Sequence, residues 1–256
     1  MNLSIVTRSI RTSELYRLLD AIGEFKINEF EVVAVCRIKD CEVDNIRLIL
    51  EDTNRFEARI TGIRNANYEN ILLLDSDQVP EMGLIDELIN IDAQMVIIPE
   101  RSLSRSLVAS WLDDYRKRIE NYAHRYPAPN IPVVPRFYKR NILLKAIELL
   151  PHRIYESESH EDSILYYKAF DITHDVKFSK RHIYNYDSNF STIMKKTMLY
   201  GKYKRKANNN SLPQEFLKLL RELNINSLNV KEIGLSKGYF FQVFRGIMYY
   251  IGSLIG

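Results

Sequence analysis

Two acidic motifs carry most of the chemistry this chain could perform. Ile71-Leu72-Leu73-Leu74 runs directly into Asp75-Ser76-Asp77, and Glu161-Asp162 stands just ahead of Ile164-Leu165-Tyr166-Tyr167. A carboxylate cannot lie inside an apolar sheet without a partner, so Asp75 and Asp77 must emerge where the strand ends. Two Asp residues separated by one, on a turn, can aim their oxygens at one point. Hard divalent cations favour that arrangement, since Mg2+ and Mn2+ take carboxylate oxygen and leave positions open for phosphates. Taken alone, Asp-x-Asp equally fits a solvated turn or a helix cap. Its place behind a buried strand, with Pro80-Glu81 expected to open a helix, turns the reading toward a cation site. Glu161-Asp162 has two readings as well. Acidic residues in a helix's first turn are favoured by the helix dipole and need no catalytic role. The functional reading is a general base at the mouth of a cleft, able to take the proton of an attacking hydroxyl.

The surrounding pattern supplies elements to hold these motifs. Leu3–Thr7, Phe30–Cys36, Ile71–Leu74 and Met95–Ile98 are short apolar runs that read as buried strands. Between them, Leu15, Leu18, Leu19 and Ile22 mark a helix capped by Thr12 or Ser13. Val43–Leu50 reads as helical, and Met82, Ile85, Leu88 and Ile89 mark another helix. Such β-α-β alternation predicts a mostly parallel sheet with helices on both faces, whose ligands bind beyond the carboxyl ends of the strands. After residue 100, Val108, Trp111, Leu112, Tyr115 and Ile119 mark an amphipathic helix. Pro127, Pro129, Pro132 and Pro135 read as a loop over the site, Val133–Tyr138 as a returning strand and Ile142–Leu150 as a helix. Asn208-Asn209-Asn210 suggests a hinge before a final helical stretch.

Bulk properties set limits. The 256 residues fit one α/β domain with an appendage, and 46% hydrophobic against 27% charged residues excludes wholesale disorder. Two cysteines, Cys36 and Cys41, exclude a secreted disulfide scaffold and read as thiols in a reducing compartment. The first strand begins within two residues of Met1, so no signal peptide is expected and the expected location is cytoplasmic.

In order and spacing these residues resemble the family 2 glycosyltransferases of the GT-A fold. The matching stretches are Ser4-Ile5-Val6-Thr7, Arg64-Asn65 ahead of Ile71 to Asp77, Arg136 to Arg140, His160-Glu161-Asp162, and Tyr200-Gly201-Lys202 with Lys195 and Lys196 upstream. The match covers roughly residues 1–205. The resemblance implies an α/β, Rossmann-like GT-A domain: 1–100 the nucleotide-sugar half, 101–206 the acceptor half, 207–256 a helical C-terminal extension. It implies a hexosyltransferase-type inverting enzyme that uses Mn2+ or Mg2+ and a UDP- or GDP-linked donor. Asp77 would hold the metal, with Asp75 against the ribose or a metal-bound water and Ser76 beside them. Thr7, Arg8, Cys36, Arg37 and Arg64 would lie along the nucleotide. Asp162, with Glu161, would activate the acceptor, and Arg136, His160 and Lys202 would face acceptor or diphosphate. Two departures stand out. The paired acids usual after the second strand are replaced by Cys36-Arg37-Ile38-Lys39-Asp40. The usual late histidine has no clear counterpart, and Asn185 or His182 is the candidate to complete the metal shell.

Lys195, Lys196, Lys202, Lys204, Arg205 and Lys206 form the densest basic run. It suits a solvated helix face, a phosphate-bearing substrate or anionic lipid; no nucleic-acid motif accompanies it, and nucleic acid is not expected. In Tyr239–Gly256 a helical wheel places Phe240, Phe244, Ile247, Met248, Ile251, Leu254 and Ile255 on one side. Gln242, Arg245, Tyr249 and Ser253 take the other. This suits a helix at residues 239–255 lying in a membrane interface or packing on protein, and through the first it suggests a glycan or lipid-linked acceptor. The alternative to an enzyme is a non-catalytic nucleotide- or glycan-binding relative. A sugar-nucleotide pyrophosphorylase would show a Gly-rich loop where Thr7-Arg8-Ser9-Ile10 has none.

Overall fold

A computed structural model describes residues 2–9, 12–23, 30–36, 46–125, 129, 133–151, 160–186, 190–206 and 237–255. Arg37, Cys41, Pro127, Pro132 and the segment 207–236 lie outside them. Strands β1 (Leu3–Ser9), β2 (Phe30–Cys36), β3 (Arg47–Leu50), β4 (Asn70–Asp75), β6 (Met95–Ile97), β8 (Pro135–Lys139) and β9 (Val176–Phe178) form one sheet in the order 3-2-1-4-8-6-9. Only β8 runs against its neighbours. The mostly parallel sheet expected from the alternation is present, and β4 lies at its centre.

Alternation along β4 explains how both faces are covered. Ile71 and Leu73 join a core with α2 (Arg55–Asn65), α5 (Arg140–Glu148) and α6 (Glu161–Ile172); Leu72 and Leu74 join the opposite core with α1 (Thr12–Gly23) and α3 (Leu84–Asn90). Each fully buried Leu contributes about 1.5–3 kcal/mol, so the strand that ends in the acidic triplet is also a main anchor of the sheet.

A second sheet of β5 (Gln78–Pro80), β10 (Ile183–Asn185) and β7 (Glu100–Ser102) starts after the two residues that follow the end of β4. Beyond it, α4 (Leu107–Arg125), α7 (Phe190–Lys206) and α8 (Lys237–Ile255) share a third core built on Tyr115, Ile119, Ile193 and Phe241.

Three local expectations change. The described part of Val43–Leu50 is the edge strand β3, paired with Val33–Cys36, because Leu48 and Ile49 complete the sheet rather than a helix stripe. Pro80 ends a strand instead of opening a helix, and α3 starts at Leu84 behind Gly83, which adopts φ 80°. Met82 is therefore outside the helix and exposed. Helix α2 gave no apolar stripe because Arg59, a charged residue, occupies its buried face.

Candidate active site at the end of strand β4

Asp75 is two residues beyond Leu73, so it faces the layer of α2 and α6. Both helices present charge there. In a β-α-β unit the intervening helix runs back along the strands, which sets the amino-terminal half of α2 against the carboxyl end of β4. Arg55 Nη2 lies 3.1 Å from each oxygen of Asp75, and Arg59 Nη2 donates to Oδ1 at 2.7 Å. Arg136 of β8 approaches Oδ2 at 3.6 Å.

The first turn of α6 completes the cluster. Glu161 Oε1 lies 2.5 Å from Arg55 Nε, and Asp162 receives Arg136 Nη1 at 2.9 Å and faces Arg59 Nε at 3.1 Å. Arg136 also donates to Glu100 of β7 at 2.7 Å, and Arg116 of α4 reaches the other Glu100 oxygen at 3.2 Å. Gln78 and Asn185 hydrogen bond to each other and to Glu100, which ties the small sheet to the same network.

The electrostatics separate these carboxyls. Burial disfavours charge on Asp75, but the cations of Arg55, Arg59, Arg136 and Lys196 outweigh it and hold the group well below the usual carboxylate range. Glu161 moves the other way: burial, with Asp162 close by, pushes it up despite Arg55. Glu100 is buried too, yet Arg136 and Arg116 hold it down. His160 caps α6 at φ 66°, and burial followed by the charges of Arg245 and Arg55 lowers it to about 4, so the ring is neutral near pH 7. Its ring meets Tyr200 of α7 edge-on.

Asp77 is in a different setting. Its backbone oxygen accepts from Tyr186 N–H at 2.9 Å, and its carboxylate meets Lys196 Nζ of α7 at 2.9 Å, where the lysine side chain is 52% exposed. Ser76, on the turn between, donates to Glu14 of α1 at 2.8 Å. Thr7 and Arg8 stand beside this turn, in register with Leu74 and Asp75, and buried Cys36 pairs with Ser9 one position further on.

Three sequence candidates lie elsewhere. Arg64 is in the last turn of α2, near Arg140 and the start of β4, at the opposite end of the sheet from Asp75. Arg55, the first residue of the same helix, and Arg59, one turn on, lie against Asp75 instead. His182 is set opposite Glu81 by the antiparallel pairing of β10 with β5, and its Nδ1 lies 2.9 Å from that carboxylate; Tyr186 is the residue opposite Asp77. Lys202 is exposed on α7, and Lys196 reaches the site instead. Sequence reasoning missed Arg55, Arg59 and Glu100. The four-residue spacing of Arg55 and Arg59 on a helix that precedes a central strand was the available signal.

A divalent cation fits this site only in one way. Among the described residues no three His, Cys, Asp or Glu side chains converge as a cage. Asp75 already carries guanidinium groups on both oxygens. Asp77, whose side chain is 16% exposed and meets the single ammonium of Lys196, would offer a carboxylate oxygen to a small hard cation once that lysine is displaced.

No family model and no curated protein sequence matches the chain. Solved structures do. S. aureus TarS residues 1–349 in complex with UDP aligns at TM-score 0.54 and 15% identity, over 99% of this chain and 89% of that one. The same TarS segment with UDP-GlcNAc gives 0.53 and 14%, over 97% and 80%. A longer TarS structure gives 0.51 and 15%, over 99% of this chain, which spans 55% of its length. At these identities the likeness is one of fold, and it agrees with the GT-A architecture expected from the sequence.

Proposed function

We propose that the protein is an inverting glycosyltransferase that moves a sugar from a nucleotide-sugar to an acceptor hydroxyl. One observation carries this reading. Acidic residues from both halves of the chain, Asp75 and Asp162, are brought together at the carboxyl end of a central strand, with Asp77 beside them at the opening. Ligands of open α/β sheets bind there. The fold is shared with S. aureus TarS, solved with UDP and with UDP-GlcNAc, and this supports a UDP-linked donor as the first choice.

In this reading Asp77 would hold Mn2+ or Mg2+, which would supply charge stabilisation for the departing nucleotide. The acceptor oxygen attacks the anomeric carbon as the bond to the diphosphate oxygen breaks, which inverts the configuration. The hydroxyl proton passes to Asp162. Its two ion pairs leave lone pairs on the carboxylate, because an ionised Asp offers about four acceptor positions. Arg59 and Arg136, which each contact both carboxylates, orient Asp162 and offset its repulsion from Asp75. Lys196, displaced from Asp77, stays near enough to oppose charge on the leaving diphosphate.

The same network favours one second reading. A carboxylate held by two arginines also suits a relative that binds nucleotide or glycan without turning it over. A panel of nucleotide-sugars, scored for metal-dependent binding and for release of free nucleotide, separates the two. Binding and turnover of one donor are expected, with turnover lost and binding kept in Asp162→Asn. Binding without turnover for any acceptor supports the second reading, and no binding to any donor overturns the transferase and leaves only a binder of glycan.

A further inference from the structure

The described C-terminal helix, α8, has two faces. The inner one packs on α4 and α7 through Gly238, Phe241 and Gly252. A Cβ at Gly252 would run into the Met198 carbonyl and one at Gly201 into the Tyr249 carbonyl, so α7 and α8 touch backbone to backbone. The outer face is apolar. Phe240, Val243, Ile247, Tyr250 and Leu254 recur at alternating steps of three and four residues and are 44–63% exposed, with Ile255 more so. A line of that spacing forms one continuous stripe along a helix about 28 Å long.

This is not the wheel drawn from the sequence. Phe244, Met248 and Ile251 are only partly exposed, and Val243 and Tyr250 take their places on the outside. No helix among the described residues is long and apolar enough to cross a membrane.

Charge decides what the stripe fits. Helices α7 and α8 contain no Asp or Glu, while α7 carries Lys195, Lys196, Lys202, Lys204, Arg205 and Lys206, and α8 carries Lys237 and Arg245. On α7 the exposed side presents Lys195, Leu199 and Lys202. An apolar stripe on one helix, with an acid-free basic helix pressed against it, is complementary to a lipid surface bearing negative headgroups. A second copy of this chain would instead bring like charges together.

We infer that the outer face of α8, with the exposed side of α7, seats the protein on an anionic bilayer without crossing it. Helix α7 also lines the candidate site through Lys196 and Tyr200. Seating therefore holds the cleft beside the headgroups, which suits an acceptor carried on lipid. That last clause rests on the transferase reading; the seating does not.

The test is cosedimentation of the full chain, without donor or metal, with vesicles of equal parts phosphatidylglycerol and phosphatidylcholine. Phosphatidylcholine vesicles are the comparison. Preferential binding to the anionic vesicles is expected, weakened by salt as screening grows. Ile247→Glu should lower partitioning at least about tenfold, since it removes one buried aliphatic side chain and adds repulsion. The pair Lys195→Glu and Lys202→Glu should lower it at least about thirtyfold, from two lost charges at about 1 kcal/mol each. All these side chains are exposed, so an unchanged melting temperature shows that the fold is kept. Absence of binding to anionic vesicles overturns the inference, as does binding that Ile247→Glu leaves unchanged. A dimer in sedimentation velocity that Ile247→Glu splits, with no vesicle binding, would assign the stripe to a second copy. Donor binding plays no part in the assay, so its result stands whether or not the transferase reading does.

Discussion

Asp75 and Asp77 are two residues apart and have little else in common. Asp75 sits on the floor of the cleft, with three guanidinium groups around it and Glu161 and Asp162 across from them. Asp77, just past the strand end and here termed the lip, meets one half-exposed ammonium. Its own side chain is no more open than that of Asp75, 16% against 22% exposed, so the two differ in partners rather than in access. The difference follows from strand geometry. Asp75 is the last residue of β4 and still faces the helix layer, whereas Asp77 lies beyond the strand, where the chain has turned. The floor is built so that its charges stay where they are, and the lip so that its partner can be exchanged. A bare acidic triplet thus divides into a scaffold carboxylate and a ligand carboxylate.

The largest expected effect is on the floor. Removing Arg59 or Arg136 takes one cation at once from Asp75, from Asp162 and from a third carboxylate, each of which keeps another guanidinium. The cost therefore lies near the lower end of that for breaking a buried pair, about 3 kcal/mol. Arg59 and Arg136 are among the most buried charged side chains. Arg136→Ala or Arg59→Ala should therefore lower the melting temperature by about 10 °C in calorimetry. A change of a degree or two would mean that the network is solvated and the floor is no scaffold.

Next in size is pH dependence. The folded state holds Asp75 below its unfolded value, so its contribution is complete above about pH 4 and is lost as pH falls through the folded value. Glu161 has the opposite sign, since its folded value is raised. It favours the fold at low pH, and that contribution is lost as pH rises through the folded value. Denaturant titrations at a series of pH values should show Asp75→Asn with a shallower loss on acidification. Glu161→Gln should lack the decline on the rising side. Parallel curves for both variants and the wild type would show that the floor does not separate the two carboxyls.

At the lip the expected changes are smaller and fall on binding. Lys196 and a divalent cation compete for one carboxylate. Lys196→Ala should shift stability by no more than about 1 kcal/mol and lower the Mn2+ concentration needed for UDP binding by up to about fivefold. Arg64→Ala should leave UDP affinity unchanged, because Arg64 is at the other end of the sheet. A loss of affinity there would contradict the placement of α2.

Much of the scaffold was legible because its strands are buried on both faces. Leu3–Thr7, Phe30–Cys36 and Ile71–Leu74 stand out as unbroken apolar runs, as parallel strands do. The three-residue strands β5, β7 and β10 were not legible, since their pairing depends on distant partners rather than on any local pattern. In the site, Asp75, Asp77, Asp162 and Arg136 could be read, while Arg55, Arg59 and Glu100 could not. An Asp at the end of an apolar run is conspicuous, but Arg55 and Arg59 look like surface residues until α6 brings Glu161 and Asp162 against them. His182 was misplaced for a related reason: the register of β10 on β5, invisible in sequence, moves it to Glu81.

The division between floor and lip is tested most directly by calorimetric titration of UDP into the wild type and Asp77→Asn, each with and without Mn2+. Binding that requires Mn2+ in the wild type, and at least tenfold weaker binding in an Asp77→Asn protein of unchanged melting temperature, is the expected result. Equal UDP affinity in all four titrations, or no binding in any, would contradict it.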